Sequence, residues 1–202
     1  MISQKYSELC ITRSDINEHL PTLARHASEC MHVTECGVRT AVSSYAFGHA
    51  LLDKPESRLV QVDLARSPEI DEFQEACSRE GLSSVFHEMS DLDCPIEETD
   101  LLFIDTWHIY GQLKRELARW HSHVRKYIIL HDTEVDGVYG ETIRIGRDAV
   151  QQSKDTGIPV DEIRLGLKPA IYEFLNGHPE WVVYEHFANN NGLTVLTRRT
   201  SS

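Results

Sequence analysis

Asp100-Leu101-Leu102-Phe103-Ile104-Asp105 is the stretch that decides the fold. A continuous apolar run closed by a carboxylate is what a strand buried on both faces looks like, and such strands belong to parallel sheets covered by helices. Tyr127-Ile128-Ile129-Leu130-His131-Asp132 repeats the style, and between the two Ile109, Leu113, Leu117 and Trp120 recur at helical spacing. Upstream, 32–36 ending at Gly37, 59–63 and the weaker 85–88 read as strands. Thr40 to Leu52 has near-helical spacing, and Ser67 as N-cap, Pro68 at the first helical position and Gly81 as a stop frame a further helix. Strands alternating with helices in this way predict a parallel sheet with helices on both faces.

The ending differs. Pro169 to Leu175 reads as a short helix stopped by Gly177, and Trp181 to Phe187 and Leu193 to Arg199 read as strands joined by Ala188-Asn189-Asn190-Asn191-Gly192. A connection that short forces an antiparallel pair. Near the start, Ser14 and Pro21 are helix-start signals, and Leu20, Leu23 and Ala27 form an apolar side, so one or two helices lead into the first strand. No linker or repeat divides the chain. The expectation is one domain over 1–202, with a helical extension over 1–29 and a core over 30–199.

The chain has 202 residues, with 20 Lys and Arg against 32 Asp and Glu, and a formal charge of −12. That field opposes nucleic-acid wrapping and anionic membrane surfaces. A hydrophobic share of 41% and a charged share of 26% are ordinary for a globular domain. Cys10, Cys30, Cys36, Cys77 and Cys94 are odd in number and form no Cys-x-x-Cys pair, so they read as reduced thiols. With no apolar run near the roughly 20 residues that span a bilayer, and no apolar centre of a signal peptide, a cytoplasmic location is expected.

In an open parallel sheet, ligands bind beyond the carboxyl ends of the strands. Glu35-Cys36-Gly37, Asp63, Ser90-Asp91, Asp105-Thr106-Trp107-His108 and His131-Asp132-Thr133 all fall there. Gly37 is either a plain turn residue or a place where a ligand meets the backbone; the repeated glycines of a dinucleotide loop and the Gly-Lys-Ser/Thr of a phosphate loop are missing. Asp63 either caps a helix or accepts the two hydroxyls of a ribose. Together, a glycine loop and an acidic second-strand end suggest a nucleoside without phosphates.

The sharpest constellation is Asp105-x-x-His108 with His131-Asp132. If their strands are neighbours, two carboxylates and two imidazoles converge. Carboxylates suit Mg or Mn, and an added histidine shifts the preference toward Mn, Fe or Zn. A cation there would acidify a substrate hydroxyl while a histidine takes its proton. The plainer alternative makes Asp132 a turn cap and leaves both histidines structural. Trp107 either covers a flat ring or fills a gap beside its helix. Thr133 to Glu141 reads as a lid or a simple connection. His26, His49, His121 and His123 read as solvated, His178 as a turn residue, and His186 as lying away from the rim.

This order of elements, with the glycine loop, the acidic second-strand end and the two Asp-closed runs, resembles the class I S-adenosylmethionine-dependent methyltransferases over about residues 30 to 199. The resemblance implies a Rossmann-like three-layer α/β/α sandwich whose seven-stranded sheet has the order 3-2-1-4-5-7-6, with strand 7 antiparallel. It implies that Glu35 and Gly37 line the methionine part of S-adenosylmethionine, that Asp63 holds the ribose, that Ser90 and Asp91 lie beside the adenine, and that Arg39 is a further cofactor-binding residue. Asp105 belongs to the same cofactor set.

Phe103-Ile104-Asp105-x-x-His108 and Leu130-His131-Asp132 are similar to the metal-dependent sugar O-methyltransferase and cephalosporin-hydroxylase-like subgroup. There the positions matching Asp105 and Asp132 bind a divalent metal, such as Mg or Mn, and that matching His108 is a base. His131 stands where sugar-modifying relatives often carry Glu, and it would be a third ligand. The implied reaction is O-methylation of a small-molecule or glycan hydroxyl. The competitors are a nicotinamide-dependent oxidoreductase on a Rossmann sheet and a cofactor-binding module without catalysis. A homo-oligomer is compatible with the sequence and not demanded by it.

Overall fold

In the computed structural model, which describes residues 1–199, seven strands form one sheet: β1 (His32–Cys36), β2 (Arg58–Asp63), β3 (Ser83–Glu88), β4 (Thr99–Ile104), β5 (Val124–His131), β6 (Trp181–Phe187) and β7 (Leu193–Arg198). Their order is β3-β2-β1-β4-β5-β7-β6, with β7 antiparallel to both of its neighbours. The helices are α1 (Ile2–Ile11), α2 (Leu20–Ala27), α3 (Val42–Leu51), α4 (Pro68–Glu80), α5 (Tyr110–Trp120), α6 (Glu141–Arg144), α7 (Ala149–Thr156), α8 (Val160–Arg164) and α9 (Leu167–Gly177). The last expected domain positions, 200–202, lie outside the described residues.

The two-residue period of a strand divides the apolar runs between two cores. Leu101 and Phe103 of β4, with Ile129 of β5, face the layer of α1 to α4. Leu102 and Ile104, with Ile128 and Leu130, face α5 and α9. Each such side chain contributes roughly 1.5–3 kcal/mol on burial, which fixes the register. That register pairs Cys36 with Val62 and with Ile104, and Ile104 with Leu130, so the four central parallel strands end at one level. Asp63 and His131 close their strands there, and Gly37 and Asp105 follow theirs.

Local signals explain the helices that were expected. Ser67 Oγ accepts the Ile70 amide, Pro68 follows it, and Gly81 at φ +78° ends α4. The N-terminal helices are integral to the fold: Ile2, Leu20, Leu23 and Ala27 are fully buried in the same core as Val33 and Leu59. Helix α1 starts well before Ser14, because Ile2 packs into that core and Tyr6 and Leu9 lie against it. His26 is buried, not solvated: it lies on Tyr127 and faces Glu185 Oε2 at 3.1 Å. All five cysteines are free. Among the described residues no helix is long and apolar enough to cross a membrane.

Candidate functional site

Beyond the ends of β1 to β4 opens a cleft of about 600 Å³, lined among others by Gly37, Asp63, Met89, Ser90, Asp91, Asp105 and Trp107. Its first wall is the turn after β1. Gly37 has φ +86°, and a Cβ added there would stand 2.0 Å from the Asp105 carbonyl oxygen, so only glycine lets β1 and β4 meet at this point. Asp63 ties the turn down: its Oδ2 accepts the amides of Val38 at 2.7 Å and Arg39 at 2.8 Å, while Oδ1 takes only the Ala65 amide at 3.2 Å. At the far end, Ser90 Oγ accepts the Leu92 amide and Asp91 Oδ1 accepts Gln112 Nε2 at 3.3 Å. Asp91 Oδ2 is buried and accepts nothing. Burial pushes the carboxyls of both Asp91 and Glu116 up, Glu116 well above the usual carboxylate range.

Asp105 belongs to the cleft and also to a second group. Its Oδ1 is 3.1 Å from His108 Nε2 and 3.2 Å from His131 Nδ1. On its other side His108 Nδ1 faces Asp132 Oδ2 at 2.9 Å, Asp136 Oδ2 at 3.3 Å and Glu141 Oε2 at 3.9 Å. Burial alone would strip the proton from His108, but Asp105, Asp132 and Asp136 outweigh it and hold its pKa well above the ordinary histidine value. His131 is raised likewise, Asp105 outweighing burial. Against the pull of burial, the two histidines keep Asp105 well below the usual carboxylate range.

The donor set also suits a divalent cation. Asp105, His131 and Asp132 can each bring one ligand atom within 4.8 Å of the other two. His131 Nε2–H donates to the Asn190 carbonyl at 3.3 Å, which turns Nδ1 toward both carboxylates. Neutral, Nδ1 would point a lone pair at anions, so a proton or a metal must sit there. Asp132 Oδ1 is buried without a hydrogen-bond donor, and Asp132 holds φ +57°, a conformation that Asp and Asn tolerate better than other side chains. Residues present at the rim therefore fit the cation that the sequence pattern implies.

Three solved structures illustrate what the fold is similar to. The O-methyltransferase TomG of Streptomyces achromogenes, involved in tomaymycin synthesis and solved with S-adenosylmethionine, is 16% identical, with 98% of this chain and 88% of that chain covered and a TM-score of 0.61. For the Bacillus cereus O-methyltransferase in complex with S-adenosylhomocysteine the values are 14%, 98%, 97% and 0.58. For the Burkholderia thailandensis 1,6-didemethyltoxoflavin-N1-methyltransferase with bound 1,6-didemethyltoxoflavin and S-adenosylhomocysteine they are 16%, 98%, 84% and 0.60. The fold is that of a class I methyltransferase. At these identities the likeness is one of fold. No protein-family model matches the chain, nor does any curated protein by sequence.

On this methyltransferase fold the expected residues divide. Gly37, Asp63, Ser90, Asp91 and Asp105 line the cleft, whereas Glu35 and Arg39 do not. Glu35 points to the opposite face of β1, fully buried, and accepts Ser43 Oγ at 2.5 Å, Ser44 Oγ at 2.7 Å and Gln61 Nε2 at 2.8 Å; burial pushes its carboxyl up to about 7. Arg39 gives its amide to Asp63 and turns its guanidinium outward to Asp15 at 2.7 Å. Both brace the glycine turn from outside. Asp105, His108, His131 and Asp132 do converge.

Residues of the methyltransferase fold that the pattern did not announce are Asp136, Glu141 and Glu116. Asp136 is fully buried and bound through both oxygens by Arg144, at 2.6 and 2.8 Å. Its only sequence signal is the four-residue spacing from Asp132. The 133–141 segment is a stitched cap rather than a loose lid: the amides of Leu167 and Gly140 donate to the carbonyls of Asp136 and Arg164, and Glu141 N donates to His108 O at 2.9 Å. His186, expected away from the rim, reaches this cap through Glu134 Oε1 at 2.8 Å.

Proposed function

We propose that the chain is an S-adenosylmethionine-dependent methyltransferase acting on a hydroxyl of a small molecule or glycan. The observation that carries this is Asp105, which lines the nucleoside-sized cleft and is also the hub of the Asp105, His131, Asp132 and His108 cluster. Asp63 Oδ1, which takes only the Ala65 amide, has acceptor capacity left for a ribose, and Asp91 lines the end of the cleft where an exocyclic amine would lie. Trp107 and Met89 supply the apolar walls that a flat base requires. A sheet order with antiparallel β7 set between β5 and β6 disfavours the nicotinamide oxidoreductase, whose Rossmann order is 3-2-1-4-5-6.

The bound cofactor supplies a methyl group already activated on a cationic sulfonium, and a divalent cation such as Mg or Mn, held by Asp105, His131 and Asp132, supplies Lewis acidity toward the acceptor hydroxyl. The chain's own residues do the rest. Acidic groups around the rim favour both positive partners. With Asp105 and Asp132 drawn onto the cation, His108 would lose the carboxylates that keep it protonated and would be the group to receive the hydroxyl proton as the oxygen–methyl bond forms and the carbon–sulfur bond breaks. The same carboxylates serve a cation and the His108 proton: what they give to one they no longer give to the other. Gly37, Asp63 and Trp107 hold the cleft in shape, so positioning is in place before the acceptor arrives.

Calorimetry with S-adenosylmethionine, with and without Mn, tests this reading. The expected result is cofactor binding in both cases, a separate Mn isotherm, and loss of the Mn isotherm in His131→Ala. Binding of a nicotinamide dinucleotide in place of S-adenosylmethionine would overturn the cofactor, and an unchanged Mn isotherm in His131→Ala would overturn the metal.

A further inference from the structure

The opposite end of the sheet carries a second set of metal-type donors that methyl transfer does not use. His121 lies in the 3-10 turn His121–His123 between α5 and β5, while His178 and Glu180 flank Pro179 in the turn between α9 and β6. The imidazoles stand with centroids 4.1 Å apart, and His178 Nδ1 is 3.4 Å from Glu180 Oε1. All three can bring one ligand atom within 4.8 Å of the other two. Since β5 and β6 begin beside these turns and run the same way, the cluster sits at the amino end of the sheet, remote from the rim.

From this geometry we infer that His121, His178 and Glu180 form a zinc-binding site that clamps the α5–β5 turn to the α9–β6 turn.

Two independent observations support it. Among the described residues His121 Nδ1 is buried yet has no hydrogen-bond partner, a state a native structure ordinarily relieves with a proton partner, a water or a metal. The donor set, two imidazoles and one carboxylate, is the one used by zinc sites with three protein ligands and a water. Zinc at roughly 2.0–2.2 Å from each atom asks for donors about 3.4 Å apart, within reach of small rotations of half-exposed side chains. Burial and the neighbouring His178 keep His121 toward its neutral, ligating form. Arg198, stacked on Trp181, is the cation facing the cluster, and Glu180 is its counter-charge.

The test uses the full chain, freed of metal by chelation and titrated with Zn²⁺ against a chromophoric chelator. To silence the rim, the titration is run in an Asp105→Asn/Asp132→Asn background. The expected result is one Zn²⁺ per chain in that background, with affinity falling roughly tenfold or more in His121→Gln and in His178→Gln. A readout at the site itself comes from Trp120 and Trp181, each one residue from a ligand: Cu²⁺, which such donors hold more tightly than Zn²⁺, should quench their fluorescence in the parent and not in His121→Gln. Circular dichroism of the histidine variants separates lost ligation from lost folding, and a parent-like spectrum is expected. No Zn²⁺ bound in the rim-silenced background, or parent-like affinity in folded His121→Gln and His178→Gln, overturns the proposal.

Discussion

His108 Nδ1 stands 2.9 Å from Asp132 Oδ2 while its Nε2 stands 3.1 Å from Asp105 Oδ1, so one imidazole bridges the carboxylates at the ends of two adjacent strands. Asp132→Asn keeps the shape and the left-handed backbone but removes half of that bridge. The expected outcome is a folded protein whose kcat/KM for methyl transfer falls by about 10²–10⁴ and whose Mn affinity falls about 10–100-fold. Parent-like turnover in this variant would remove Asp132 from the chemistry.

Gly37→Ala places a Cβ 2.0 Å from the Asp105 carbonyl oxygen at φ +86°. Backbone meets backbone there, so no side chain can yield. A loss of about 2 kcal/mol or more is expected from strain of this kind, read in urea unfolding, together with weaker cofactor binding in calorimetry. Gly81→Ala is the control: its φ is also positive, but its Cβ would meet nothing within 4 Å.

Glu35 gives the fold a pH dependence. Its folded pKa, about 7, lies above the unfolded value, so the stability it contributes is present in full below the unfolded pKa and is lost as pH rises through about 7. Its size is about 3 kcal/mol at 1.36 kcal/mol per unit. Glu35→Gln keeps an acceptor for Gln61 and stays neutral. Urea unfolding at pH 5 and pH 8 should show a flatter profile for Glu35→Gln than for the parent, with the variant gaining on the parent at pH 8. Parallel profiles would contradict the buried carboxyl's role.

Asp91 and Glu116 predict a split. In Asp91→Asn a carboxylate of the cleft wall becomes in part a donor, and S-adenosylhomocysteine affinity should fall about tenfold, near 1.4 kcal/mol. Glu116→Gln replaces a proton-carrying carboxyl with an amide that donates permanently, and affinity should change little. Equal losses in the two variants would assign the effect to packing of α5.

What the sequence discloses depends on how burial writes itself into it. Residues 100–105 and 127–132 are legible because a strand covered on both faces is apolar at nearly every position, and sheets covered by helices on both faces are mostly parallel, as β4 is to β1 and β5. The rim could be listed from strand ends alone, and Asp105, His108, His131 and Asp132 meet there. Glu35 was not legible: one residue before the strand's last, its side chain takes the other face, and a sequence does not say which face looks at the cleft. Asp136 was hidden for a different reason, since it reaches His108 only because its segment folds back over the rim. Helices α6 to α8 are four, eight and five residues long, too short for periodicity to separate them from loop.

That fold-back ties two properties that enzymes of this architecture could otherwise vary separately. The cap spanning β5 to α9 is the natural place to alter for a new acceptor, yet it donates Glu141 N to the His108 carbonyl and sets Asp136 against the His108 ring. Any remodelling of the cap therefore changes the surroundings of His108. On the proposed mechanism acceptor choice and proton handling would be inherited together, and a swapped cap would have to bring its own carboxylate to the position of Asp136.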